Sequence, residues 1–83
     1  MILWFLLPFW SVAINQHRKA LGETIRSLRK EAGLSQEVLA ERADLHHNYV
    51  GELERGEKAA TVDTLVKIAK ALKLRVSDLT RDI

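Results

Sequence analysis

Eighty-three residues are enough for one small domain, and a hydrophobic content of 47% lets a helical core close without cross-links. The absence of cysteine excludes a disulfide framework and any thiolate metal site, and suits a cytoplasmic protein. A formal net charge of only +2 excludes a nonspecific polycation, so any affinity for nucleic acid must come from where the charges sit.

The chain opens on MILWFLLPFWSVAIN, which is almost continuously apolar and contains both tryptophans and both phenylalanines. No ionisable side chain precedes His17, and all thirteen Lys and Arg lie from Arg18 onward. A membrane-spanning helix needs about 20 apolar residues, and this run stops short of that with Pro8 inside it. Ser11, Val12 and Ala13 resemble a signal-cleavage site, but the basic residues that open a secretory signal are missing. Three readings stay open: a stretch upstream of the true start, a segment that packs on a protein partner or a second subunit, and a membrane tether. The division expected is an apolar extension over 1–14 and a folded domain over 15–83.

The first domain helix is expected from Asn15, a good N-cap, to Glu31, with Leu21, Ile25, Leu28 and Ala32 on one face. Gly33 ends it in a left-handed conformation. Ser35 caps a second helix that runs to about Arg42 and leaves Gln36 in its first turn. Apolar residues at Val38, Leu39 and Ala40, then at Leu45, Tyr49, Val50 and Leu53, give each of two short segments a core face. Ala40 is small enough to let the two cross closely. The second segment runs from His46 to Arg55 and stops at Gly56, turning His46, His47, Asn48, Gly51, Glu52 and Arg55 away from the core. Thr61 caps a fourth helix with Leu65, Ile68, Ala69 and Leu72 at i, i+3, i+4, i+7 spacing, and Asp63 favours its positive end. A short fifth helix, Val76 to about Arg81, offers Val76 and Leu79 to the core or to a dimer, with Ile83 nearby. No strand periodicity is present.

Two short helices in this arrangement, the second dressed in hydrogen-bonding groups, make a unit for reading DNA. The stretches LGETIRSLRKEAGLSQ, LAERADLHHNYVGELERGE and TVDTLVKIAKALKLRVSDL together resemble the phage-repressor and Cro-type helix-turn-helix proteins, the XRE family. About three quarters of the chain is covered, with apolar, Gly, Gln and Glu positions in register. The resemblance implies an all-α, compact five-helix, lambda-repressor-like DNA-binding domain. Departures fall at caps and turns. Asp44 replaces a turn glycine, His46 is a poor N-cap where Ser or Thr is usual, Ala60 replaces a proline, and Lys73 and Arg75 stand for Gly and a capping Ser.

Carried over residue by residue, the resemblance implies that Gln36 binds a phosphate and braces the recognition helix. A helix N-terminus favours an anion there independently. His47 and Asn48 occupy base-reading positions, and Asn pairs bidentately with adenine N6 and N7. Glu52 accepts from cytosine N4 or excludes wrong sequences. Gly51 lowers helix propensity by about 1 kcal/mol relative to Ala, which suits close approach of backbone to DNA. His46, Arg55 and Lys58 are assigned to phosphates, the alternative being solvated charge. Arg29 and Glu54 resemble the family's internal ion pair. Neighbouring helical residues point about 100° apart, so His46 and His47 do not converge on a metal, and no catalytic residue or cofactor is expected.

The expected function is sequence-specific transcription regulation by a homodimer on a palindromic operator in double-stranded DNA, with no small-molecule effector domain. Small regulators of this kind include Cro-like proteins, antitoxins and the controller proteins of restriction–modification systems, towards which LHHNYVGELERGE leans. The rival is an antitoxin that masks a toxin through the apolar N-terminus.

Overall fold

The computed structural model describes the chain from Phe9 to Ile83, with side chains from Val12. Five helices follow in order: α1 (Phe9–Glu31), α2 (Gln36–Ala43), α3 (His47–Glu54), α4 (Val62–Leu72) and α5 (Val76–Thr80). No strand occurs among the described residues.

Helix α1 is already formed at Phe9, well ahead of the expected cap at Asn15, which sits exposed inside it. Neither Gly nor Pro falls between Phe9 and Leu21 to break the run, and an interior Asn costs only about 0.7 kcal/mol. The expected boundary between residues 14 and 15 therefore lies within a continuous helix, although buried core side chains start only at Leu21. The rest of the apolar extension, residues 1–8, and with it the readings of that extension as a partner-packing segment or a tether, lies outside the described residues.

The turns after α1, α2 and α4 share one device. Gly33 (φ 74°), Asp44 (φ 56°) and Lys73 (φ 59°) are left-handed and let the next amide bond back to the helix: Leu34 to the Arg29 carbonyl at 3.1 Å, Leu45 to Ala40 at 2.8 Å, Leu74 to Ala69 at 2.8 Å. Leu34 thereby packs on the core in the place expected for Ala32, which is exposed because the chain has already left the helix. Val38 also departs from expectation. Three consecutive helical residues cannot share one face, so Leu39 and Ala40 are buried while Val38 is 37% exposed.

Caps open the later helices. Ser35 Oγ accepts from the Val38 amide at 3.1 Å, and Thr61 Oγ1 accepts from Thr64 at 3.1 Å. His46 does cap α3: its Nδ1 accepts from the Asn48 amide at 3.1 Å, so a ring nitrogen replaces the usual hydroxyl. At α5, Asp78 compensates for Arg75 by accepting from the Arg75 amide at 2.9 Å, the returning half of a capping box.

The core is one cluster in which Ile25, Leu39, Val50, Leu53, Ile68 and Leu79 are essentially solvent-free. Ala40, 2% exposed, belongs to the buried face of α2, which packs on both α3 and α4. Helix α4 packs on α2, and α5 closes the core between α4 and α1. Leu79 is therefore a core residue and is unavailable to a dimer surface, whereas Ile83 is exposed.

Candidate nucleic-acid interface

Helix α3 is fixed in place by contacts from three directions, and its outer face is what remains. From α1, Arg29 forms a two-pronged ion pair with Glu54 at the end of α3: Nε donates to Oε2 at 2.6 Å and Nη2 to Oε1 at 3.0 Å. The same guanidinium donates to the Leu34 carbonyl at 2.7 Å, and the Gln36 amide donates to Glu54 Oε1 at 3.0 Å. One carboxylate thus ties α3 to α1 and to the first turn of α2. Both charged side chains are buried, and no buried side-chain polar atom among the described residues lacks a partner. The hydrogen bonds to Glu54, more than its charge, hold the Arg29 guanidinium above its ordinary pKa, against the pull of burial.

Two glycines allow this approach. A Cβ on Gly22 would lie 2.3 Å from the Leu53 carbonyl oxygen and 2.6 Å from that of Glu54, so only glycine lets α1 meet the last turn of α3. Gly56, at φ 75°, packs on the backbone of Lys19 and redirects the chain after α3. From the third side, the Tyr49 hydroxyl donates to the Ala59 carbonyl at 3.0 Å and lies 3.4 Å from Thr64 Oγ1. That bond secures the loop between α3 and α4.

The face left open is a shallow depression of about 250 Å³ lined by Gln36, His47, Asn48, Gly51, Glu52 and Arg55. Six of the eight residues assigned to DNA from sequence therefore share one concavity. His46 stands at its edge with its ring stacked on His47, centroids 4.7 Å apart and 22° between planes. The stacking differs from the divergence expected of neighbouring helical residues. His46 is the cap, in extended backbone, and its ring folds over the first turn. Lys58 is exposed in the following loop and does not line the depression.

Gly51 departs most from its expected setting. It is buried, covered by Gln36 and Arg55: a Cβ there would lie 3.4 Å from Gln36 Oε1 and 3.1 Å from Arg55 Nη1. Its small size thus admits two of the protein's own side chains. Arg55 is itself engaged, by Glu57, through Nε to Oε2 at 2.8 Å and Nη2 to Oε1 at 3.3 Å. This exposed pair raises the arginine above its ordinary pKa and holds the Glu57 carboxyl below the usual carboxylate value, in both cases chiefly through the hydrogen bonds between them. Sequence reasoning missed Gly22, Glu57 and the Tyr49 hydroxyl. A glycine inside a helical pattern is the one signal that marks Gly22.

A helix-turn-helix family model, HTH_3, matches residues 25–79. The chain belongs to this helix-turn-helix family. It is 40% identical over 73 residues to the control protein C.SmaI of Serratia marcescens, covering 88% of this chain and 87% of that protein. It is 38% identical over 66 residues to the control protein C.BamHI of Bacillus amyloliquefaciens, covering 78% and 82%. Among solved structures, the restriction-modification controller protein C.AhdI from Aeromonas hydrophila superposes with a TM-score of 0.74 at 37% identity, over 75% of this chain and 94% of that one. The protein is a DNA-binding helix-turn-helix transcription regulator, of a family whose members are not enzymes. No group of three or more potential metal ligands occurs among the described residues, and no described helix is long and apolar enough to cross a membrane.

Proposed function

We propose that this regulator is a cytoplasmic controller of a restriction–modification locus, acting as a homodimer on a palindromic operator. The observation that carries the reading is the depression on the outer face of α3, which gathers Gln36, His47, Asn48, Gly51, Glu52 and Arg55 into an area fit for a groove edge. Three relatives named as control or controller proteins, two of them matched over more than three quarters of both chains, support the locus. A two-fold dimer sets the α3 helices of its subunits in successive major grooves, about 34 Å apart.

In this reading His47 and Asn48, both exposed, contact base edges. Asn48 offers an acceptor and donors to adenine. Glu52, half-buried in the lining of the depression, accepts from cytosine N4 or repels other bases. Gly51 keeps the floor low. Gln36 has a divided role. One N–H of its side-chain amide goes to Glu54, and the phosphate meets the other N–H together with the open backbone amides at the start of α2, beside the Ser35 cap. His46, whose Nδ1 is occupied by the cap, has Nε2 left to donate to a phosphate, and Arg55 and Lys58 add positive charge. The domain is read as 15–83, with α1 running on ahead of it into the extension.

Selection of bound duplexes from a random library tests the proposal. Enrichment of a palindrome is expected, and Asn48→Ala should relax one base pair per half-site by about 1 to 3 kcal/mol. Lys58→Ala should weaken all duplexes alike and flatten the salt dependence, the slope falling by about 0.9 for each phosphate left without its lysine. A library returned without enrichment rules the proposal out.

A further inference from the structure

Arginine presents two donor edges, and in this protein they are used differently. The edge formed by Nε and Nη2 is occupied by Glu57, at 2.8 and 3.3 Å. The end edge, formed by Nη1 and the second hydrogen of Nη2, has no partner among the described residues. Nη1 lies over Gly51, 3.1 Å from where a Cβ would stand, in the depression that also holds Gln36, His47, Asn48 and Glu52. A long cationic side chain that is 57% exposed would ordinarily sample many rotamers, and ordering it on binding costs conformational entropy. Here the order is supplied in advance. The Glu57 amide donates to the Glu52 carbonyl at 2.9 Å, and Gly56, left-handed and packed on Lys19, aims the chain so that Glu57 reaches back to residue 55.

We propose that Glu57 is a positioning residue for DNA recognition, holding Arg55 by one edge so that its other edge stands in the depression as a preformed fork for two acceptor atoms. The inference rests on the assignment of this face to DNA. The matching chemistry is a pair of acceptors about one guanidinium edge apart: two oxygens of a backbone phosphate, or O6 and N7 of a guanine. A carboxylate beside a polyanion would on charge grounds alone weaken binding. Its worth must therefore show as ordering of Arg55 that outweighs repulsion.

The test is a double-mutant cycle with the duplex selected by the wild-type protein and a scrambled duplex, measured across a salt series. Glu57→Gln removes one negative charge yet is expected to weaken binding to the selected duplex about fivefold when Arg55 is present. In the Arg55→Gln background the same change should tighten binding, because only the repulsion is left to remove. A loss confined to the selected duplex identifies the guanine edge; an equal loss on both duplexes, with a shallower salt slope, identifies the phosphate. Equal effects of Glu57→Gln in the two backgrounds, or tighter binding with Arg55 present, overturn the proposal and leave Glu57 a competitor for the arginine. A wild-type protein that selects no duplex defeats the DNA-reading face itself, a separate result. Thermal unfolding of each variant, expected within about 2 °C of wild type for an exposed pair, separates positioning from folding.

Discussion

Charged side chains serve opposite ends at two places on α3. Arg29 and Glu54 are almost solvent-free, and every oxygen and most donors of the pair have partners, including Gln36 and the Leu34 carbonyl. Such a pair contributes little over an apolar replacement of both residues, but deleting one member strands the other. Arg29→Met and Glu54→Gln should each cost about 3 to 5 kcal/mol in chemical denaturation, the second because it leaves the arginine without a countercharge and sets an amide NH2 against one of its donors. Arg55 and Glu57 are more than half exposed, and their attraction is screened by water. The Glu57 carboxyl is nonetheless held below its ordinary value by Arg55. The pair is therefore complete above the ordinary carboxylate pKa and is lost as pH falls through the lowered one. Carbon-detected NMR titration of the Glu57 carboxyl should return to the ordinary value in Arg55→Gln. No change between the two proteins would show that the pair does not form in solution.

Among the elements, those set by periodicity were legible and those set by close approach were not. Helix α4, with its strict apolar spacing and Thr61 cap, lies where the sequence puts it, and so do the α2 start at Ser35 and the left-handed Gly33. Asn15 misled because a cap residue stops nothing when no Gly or Pro breaks the chain between Phe9 and that residue. Gly51 misled, and Gly22 was missed, for a different reason. What they make room for comes from α2 or from the end of α3, and one-dimensional spacing does not record it. Gly22→Ala brings a methyl within 2.3 Å of a backbone oxygen, so α1 and α3 must separate. A loss of about 2 to 4 kcal/mol is expected, against the gain of about 1 kcal/mol that Ala brings to an isolated helix. A raised thermal midpoint in that variant would mean that the two helices leave room for a methyl between them. Lys73 is the converse case. An ordinary side chain at φ 59° carries a strain of about 1 kcal/mol, which Lys73→Gly should relieve in part, raising the midpoint by a few degrees.

For the whole molecule, function depends on a rigid α3 more than on bulk charge, since a net charge of +2 supplies little long-range attraction. Rigidity comes from the core, and the core is built from Leu21 to Leu79. Ahead of Leu21 no described residue is a buried hydrophobic one, and Val12, the first described side chain, is 50% exposed. Two consequences separate the domain from its extension. Removing residues 1–14 should leave the unfolding midpoint within about 3 °C of the full chain, because the described core, which begins at Leu21, is untouched. The selected duplex and the salt slope should likewise be unchanged, since every residue of the depression lies between Gln36 and Arg55. A shift in the concentration dependence of binding on that deletion, with the midpoint constant, would assign the extension to subunit association. A fall of more than about 10 °C in the midpoint, equivalent to well over 1 kcal/mol for a domain of this size, would instead make it part of the fold and move the domain boundary ahead of residue 15.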